Sequence, residues 1–224
     1  MNILGYSERG VINSIVYSFQ NDMKSAIEFI NILIKDNSKQ IDCLEMIVEQ
    51  SFSDFGDSDL IIIFNNGIEK NVIFIEAKVK TFSRQKWSIE KEYSEFIHAR
   101  IENYKNITSN LFRQLGLKHV LSVESEKNLK NGIMLETKLQ GTKNGSRKIG
   151  NNEIVMKAYD MIKNADKYYY IGIVPSPDSD LIKLRDNSND EISLISWNTI
   201  IEYFRINNNL NVMKVFEYNK GQII

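Results

Sequence analysis

The sequence predicts an α/β fold in which one central mixed β-sheet is flanked by helices. Two apolar runs, 60–64 and 73–79, are separated by the turn residues at 65–67, a pattern typical of a β-hairpin. Helical periodicity precedes and follows this hairpin, and a further strand pattern occupies 168–174. A hairpin group, then helices, then a later strand is the order expected when helices cover a single mixed sheet.

The predicted elements begin with two helices, three strands and a long helical segment, and end with a helix, two strands and a last helix. Ser7 is placed as the N-cap of the first helix, with Glu8 in its first turn. The Gly- and Asn-rich stretch 140–152 predicts a flexible loop. We predict one domain over residues 1–224, with 84–165 mostly helical. The predicted helices cover 7–20, 23–34, 84–118, 153–164 and 197–206, and the predicted strands 41–52, 59–64, 73–80, 168–174 and 191–195.

The composition excludes several classes of protein. The chain has 224 residues, 42% of them hydrophobic, and a formal net charge of -1, which suits a globular domain and excludes a polybasic binder. One cysteine and two histidines leave no disulfide framework and no cysteine-based zinc site. No signal peptide and no apolar run long enough for a membrane span is visible. We therefore expect a cytoplasmic protein without a membrane partner.

Three charged residues interrupt the otherwise apolar hairpin. Asp59 opens its first strand, and Glu76 and Lys78 lie in its second. Because side chains alternate along a strand, Glu76 and Lys78 share one face, and Asp59 can lie near Glu76 on the neighbouring strand. Two carboxylates and an amine on a rigid sheet can bind a divalent cation and activate a water. The alternative is a cross-strand ion pair on a solvated sheet face.

A second Glu-x-Lys triplet, 136–138, also follows an apolar run, so the triplet alone decides nothing. Only the triplet at 76–78 follows a strand that opens with an aspartate. The segments Ser58-Asp59 and Glu76-Ala77-Lys78 together resemble the motif of the PD-(D/E)xK nuclease superfamily, with Ser58 in place of the proline. The resemblance implies a restriction-endonuclease-like core with a helical insertion after the catalytic hairpin.

The resemblance also implies site residues and a cofactor. It makes Asp59 and Glu76 ligands of Mg²⁺, for which Mn²⁺ can substitute, adds the backbone carbonyl of Ala77 as a ligand, and makes Lys78 the catalytic lysine. Glu8 matches the glutamate that family members often carry on the first helix, and it shares a helix face with apolar residues such as Ile12. A first-turn acid favoured by the helix dipole is the alternative for Glu8. Gln114 lies roughly where some members place a site glutamine, although polar surface is the commoner reading.

The same resemblance implies DNA as the substrate and an endonuclease as the activity. Members often cut both strands as homodimers, although no dimer interface is legible in this sequence. Candidate DNA contacts are basic residues near the triplet and in the predicted loop, for which a solvated helix face and a disordered tip are the alternatives: Lys80, Arg84, Lys143, Arg147 and Lys148. A non-catalytic nucleic-acid-binding or scaffold protein on the same fold is the competing function.

Overall fold

A mixed five-stranded sheet lies at the centre of the fold. The computed structural model describes residues 5–36, 40–80, 87–102, 109–134, 146–185 and 192–224, the side chains of 99–102 and 182–185 excepted. Within these residues the strands are β1 (Cys43–Ser51), β2 (Asp57–Asn66), β3 (Glu69–Ala77), β4 (Ile133–Met134), β5 (Ser146–Arg147), β6 (Lys167–Val174) and β7 (Ile192–Ser196). The large sheet has the order β1-β2-β3-β6-β7, and β4 and β5 form a small second sheet. The pairs β1–β2 and β2–β3 are antiparallel, whereas β3–β6 and β6–β7 are parallel.

Helices cover both faces of the large sheet. They are α1 (Ser7–Ser18), α2 (Met23–Ile34), α3 (Ile89–Glu102), α4 (Leu111–Val123), α5 (Glu126–Asn131), α6 (Glu153–Ile162), α7 (Asp178–Arg185), α8 (Trp197–Ile206), α9 (Leu210–Tyr218) and α10 (Lys220–Ile223), with a 3-10 turn at Ser53–Phe55. The predicted α/β class with a central mixed sheet flanked by helices is confirmed. None of the helices in the described ranges is long and apolar enough to cross a membrane.

The alternation of β3 divides the interior into two cores. Ile73, Ile75 and Ala77 pack with α1, α2, α8 and α9 on one face. Phe74 packs on the other face with the 3-10 turn, α4 and α6. The predicted division of the hairpin into two faces is therefore confirmed, and Glu76 and Lys78 follow Phe74 on the α4 side.

The predicted hairpin is present, but its turn lies two residues further along than the sequence indicates. Asn65 and Asn66 still belong to β2, and Asn66 pairs with Glu69, so the loop is Gly67 and Ile68. Gly67 has φ of 63°, a left-handed conformation that glycine adopts without a steric penalty. The glycine, more than the asparagines, specifies this turn.

The single helical segment predicted over 84–118 is wrong, because α3 and α4 are separate helices. Asn110 begins α4, where its side chain accepts a hydrogen bond from the backbone N–H of Arg113, the usual role of an N-cap. Ser7 does not act as the predicted cap of α1: Tyr6 holds that position without a side-chain hydrogen bond, and Ser7 itself has φ of 67°.

The second half of the loop predicted over 140–152 packs against the rest of the fold. Residues 140–145 lie outside the described residues, but Arg147 and Ile149 are buried. The backbone N–H of Lys148 donates to Asp54, and that of Gly150 donates to Ser53. This segment therefore packs against the 3-10 turn that precedes β2, a contact that composition cannot reveal.

Candidate active site

The two predicted metal-binding carboxylates meet at the end of the β2–β3 hairpin. Leu60 pairs with Ile75, so the next step of the antiparallel register places Asp59 opposite Glu76 and on the same face. The Asp59 carboxylate accepts a hydrogen bond of 2.7 Å from the backbone N–H of Ala77. This bond fixes the aspartate across the strand end, beside the glutamate.

Glu76 is a buried carboxylate with an unsatisfied oxygen. Its side chain is only 1% exposed, and its Oε1 has no hydrogen-bond partner among the residues that the structure describes. Burial, and then the charge of Asp59, raise the pKa of Glu76 to about 8. Burial likewise raises the pKa of Asp59. Two carboxylates in such a site resist ionising together unless a cation lies close to both.

Lys78 is held by hydrogen bonds from three elements. Its Nζ donates to Oε1 of Gln114 on α4 at 2.7 Å. Its backbone carbonyl accepts from Nε1 of Trp197 at 2.8 Å, and its backbone N–H donates to the carbonyl of Ile173 at 2.8 Å. The predicted catalytic lysine therefore has a defined position next to Glu76, and Gln114 lies at the site and is not merely polar surface.

The helix α4 that carries Gln114 is anchored to α3 through Glu92. The Glu92 carboxylate accepts from the backbone N–H of Leu111 at 2.7 Å, and its backbone carbonyl accepts from the Asn110 side chain at 2.7 Å. Burial raises the pKa of Glu92, and the charge of the nearby Lys78 partly opposes this rise. These contacts set where α4 begins and thereby where Gln114 meets Lys78.

Lys118, also on α4, lies at the candidate site although no sequence motif indicates it. It is completely buried, and its Nζ donates to the carbonyl of Phe55 at 2.8 Å. Burial lowers the pKa of Lys118 to about 8, against the opposing charges of Glu76, Asp57 and Asp59. The only sequence signal is its spacing of four residues from Gln114, which places both on one helix face; in a lysine-rich chain that spacing is not diagnostic.

Glu8 lies near the pair without completing a three-residue cluster. It is half-buried on α1, and its charge contributes to the raised pKa of Asp59, whereas Arg9 opposes it. Across the described part of the chain, no group of three or more His, Cys, Asp or Glu side chains is placed to share one metal ion. The role of Glu8 as an auxiliary acid thus stays a prediction, as does that of the Ala77 carbonyl as a ligand.

The predicted DNA contacts lie in different environments. Lys80 is half-buried just after β3, and Lys148 is exposed. Arg147 is only 8% exposed, and its guanidinium donates to the backbone carbonyl of Asp54. Its side chain therefore lies in the interior, whereas the sequence predicted an exposed position in a loop. Arg84 and Lys143 lie outside the described residues. Of the three that the structure describes, only Lys148 has the exposure expected of a surface phosphate contact.

The donor set suits a hard divalent cation. Carboxylate oxygens of Asp59 and Glu76 are the ligands that Mg²⁺ and Mn²⁺ prefer, and the unsatisfied Oε1 of Glu76 needs a partner in a buried site. Lys78 lies on the same strand face to act on a water or a phosphoryl oxygen. The residues present therefore fit the cofactor that the resemblance implies.

Comparison with known proteins finds no family model, no curated protein and no solved structure that matches this chain. The family assignment therefore remains a resemblance of the segments 58–59 and 76–78. The α/β fold and the convergence of Asp59, Glu76 and Lys78 are observations on this chain alone.

Proposed function

We propose that this chain is a divalent-cation-dependent nuclease that hydrolyses DNA phosphodiester bonds, as an endonuclease, with Mg²⁺ as cofactor and Mn²⁺ as a substitute. The observation that carries the proposal is the buried Glu76, whose Oε1 is unsatisfied beside Asp59 and two residues before the anchored Lys78. DNA as the substrate follows from the resemblance to the PD-(D/E)xK superfamily.

The chain's own residues have distinct tasks in this proposal. Asp59 and Glu76 hold the cation, and the N–H of Ala77 orients the Asp59 carboxylate for that purpose. The bound cation supplies charge stabilisation at the phosphoryl oxygens and an acidified water. Lys78 orients that water and offsets negative charge in the transition state, while Gln114 keeps its amine in place. Glu8 is the auxiliary acid.

Metal binding is tested by thermal unfolding of the wild-type chain and two matched variants. Asp59→Asn removes a carboxylate that accepts a backbone N–H, and Asp166→Asn does the same far from the site, where Asp166 accepts from the N–H of Lys70 at 2.8 Å. Mn²⁺ at about 100 times its Kd stabilises a single-site protein by about 2.7 kcal/mol. We expect this stabilisation in the wild type and in Asp166→Asn, and its loss in Asp59→Asn.

Cleavage is tested on supercoiled plasmid DNA with the same three proteins. An endonuclease nicks or linearises the plasmid in Mg²⁺, whereas an exonuclease needs a free end and degrades only linear DNA. We expect Mg²⁺-dependent plasmid cleavage by the wild type and by Asp166→Asn, but not by Asp59→Asn. Cleavage that survives Asp59→Asn contradicts the assignment to this site, and DNA binding without cleavage favours the non-catalytic alternative.

A further inference from the structure

Glu49 of β1 lies directly across the sheet from Asp59. The residues on either side of these two are paired in the antiparallel register, Val48 with Leu60 and Gln50 with Ser58. Opposite residues in such a register have Cα atoms about 4.5–5.5 Å apart. Glu49 is therefore the neighbour, on the edge strand of the large sheet, of a carboxylate that the proposed function assigns to the cation.

The backbone of Glu49 is left-handed. Its φ is 52°, in a region that a non-glycine residue adopts only at a steric cost. Regular alternation would turn its side chain to the face of Ile47, which packs on the α4 side of the sheet. The Glu49 carboxylate instead meets α1, which packs on the other face: it accepts from Asn13 Nδ2 at 3.4 Å and lies 3.6 Å from Arg9 Nη1. The left-handed conformation thus accompanies the contact with α1.

Stability does not account for this contact. The side chains of Arg9 and Glu49 are 64% and 39% exposed, and an ion pair with this exposure contributes little to stability. A left-handed backbone costs a non-glycine residue more than such a pair returns. Strained backbone conformations that persist in folded proteins cluster at functional sites, so the contact between Glu49 and Arg9 points to a function.

Arg9 has the chemistry and the exposure of a phosphate contact. It follows Glu8 in the first turn of α1, and α1 contacts both β1 and β2. Its guanidinium presents five N–H donors in a planar fork that matches the oxygens of a phosphate. Glu49 holds Nη1, and the exposure of the side chain leaves donors facing the solvent. Arg9 also opposes the raised pKa of Asp59, as expected of a cation near that carboxylate.

We propose that Arg9 contacts a phosphate of the bound DNA beside the cation, and that Glu49 is the positioning residue that holds Arg9 there. This inference rests on the proposed function for DNA as the ligand, and it adds a substrate contact and the group that supports it. Glu49 acts through Arg9 and does not touch the substrate.

The Arg9 contact is tested by the affinity for a short fluorescein-labelled DNA duplex in Ca²⁺, which takes oxygen ligands, between about 50 and about 200 mM salt. Each phosphate contact contributes about 0.9 to the slope of log K against log salt. We expect Arg9→Ala to bind about tenfold more weakly and to lose about one contact's share of this slope. Arg9→Lys keeps the charge and should keep the slope.

Arg205→Ala is the matched control for Arg9→Ala. Arg205 also forms an exposed ion pair with a glutamate, Glu202, and it lies eight residues, about 12 Å, along α8 from Trp197. Its variant should keep the wild-type affinity and slope. An unchanged slope in Arg9→Ala overturns the phosphate contact even if the chain cleaves DNA.

The role of Glu49 is tested by the sign of the change in DNA affinity. Removing a carboxylate from a surface that faces DNA strengthens binding by electrostatics alone. We expect Glu49→Gln to bind the duplex about threefold more weakly, because Arg9 loses its charged partner, and Glu202→Gln to bind it as the wild type does. Equal or tighter binding by Glu49→Gln overturns the positioning role, and so does its failure to fold.

Glu49→Gly separates function from stability. Glycine adopts this φ without a steric cost, so we expect a Tm no lower than that of the wild type, together with weaker DNA binding. Lys35→Gly is the control, since Lys35 has φ of 55° at the end of α2, and its DNA affinity should not change. A Glu49→Gly chain with a lower Tm and wild-type DNA affinity identifies Glu49 as merely structural and overturns its positioning role.

The duplex assay also distinguishes this inference from the proposed function. A chain whose salt slope depends on Arg9 but which cleaves no DNA in Mg²⁺ refutes the nuclease proposal and leaves this inference standing. A chain that binds no DNA refutes both.

Discussion

Glu76→Gln should stabilise the metal-free protein at pH 8 and leave it nearly unchanged at pH 5. Burial and Asp59 raise the pKa of Glu76 from 4.5 to about 8 in the folded chain, so the folded state binds this proton more tightly than the unfolded state. The free energy of unfolding therefore falls as the pH rises from about 4.5 to about 8. Glutamine resembles the protonated acid and does not ionise, so the variant escapes this loss.

The size of the effect follows from the interval between the two pKa values. At about 1.36 kcal/mol per pKa unit, ionisation of Glu76 costs the wild type about 4 kcal/mol of stability by pH 8, relative to pH 4.5. For a chain of this length, 1 kcal/mol shifts Tm by roughly 2–4 °C. We therefore expect Glu76→Gln to melt about 10 °C above the wild type at pH 8.

The assay is thermal unfolding in EDTA at pH 5, 6, 7 and 8, followed by circular dichroism. Glu69→Gln is the control, because Glu69 is an exposed glutamate of the same strand and its variant should follow the wild-type pH profile. A difference between Glu76→Gln and the wild type that fails to grow from pH 5 to pH 8 refutes the reasoning. So does a variant that melts below the wild type at pH 8.

Three further predictions concern the surroundings of Lys78. Gln114→Ala removes the partner of the Lys78 amine and should lower kcat at least about tenfold, with an unchanged Mn²⁺-induced rise in Tm; an unchanged kcat contradicts the anchoring role. Trp197→Phe leaves the Lys78 carbonyl without its donor and should cost about 1–3 kcal/mol of stability, which urea unfolding measures; a cost below about 0.5 kcal/mol opposes this account. Asn110→Ala removes the N-cap of α4 and its bond to the Glu92 carbonyl and should cost about 1–3 kcal/mol by the same measurement. A loss confined to kcat in Asn110→Ala contradicts its structural role.

The sequence was sufficient to predict the features that depend on local periodicity. The alternation of the second hairpin strand placed Glu76 and Lys78 on one face, and the hairpin placed Asp59 near Glu76, which agrees with the observed pairing of Leu60 with Ile75 one step away. These relations follow from the two-residue period of a strand and from a short turn. Both are determined by residues that are close together in the sequence. The helices α1, α2, α6 and α8 were likewise legible from their apolar periodicity.

Features that depend on which elements pack together could not be predicted from the sequence. The break between α3 and α4 follows from the Asn110 cap and its contact with Glu92, and the buried position of Arg147 follows from its contact with Asp54 across 93 residues. The helices α9 and α10, which contribute Val215 and Ile223 to one core, were also missed. Their apolar residues acquire a partner only when the chain is folded.

The sequence by itself determined the hairpin and the shared face of Asp59, Glu76 and Lys78, because the side-chain direction on a strand is a local property. The tertiary structure alone decided that α4 lies over this face, with Gln114 on Lys78 across 36 residues and Lys118 on the Phe55 carbonyl across 63 residues. Such contacts depend on the packing of the whole core around Phe74, to which many distant residues contribute jointly. Local periodicity therefore identifies the charged residues of the site, and long-range packing supplies the groups that hold and neutralise them.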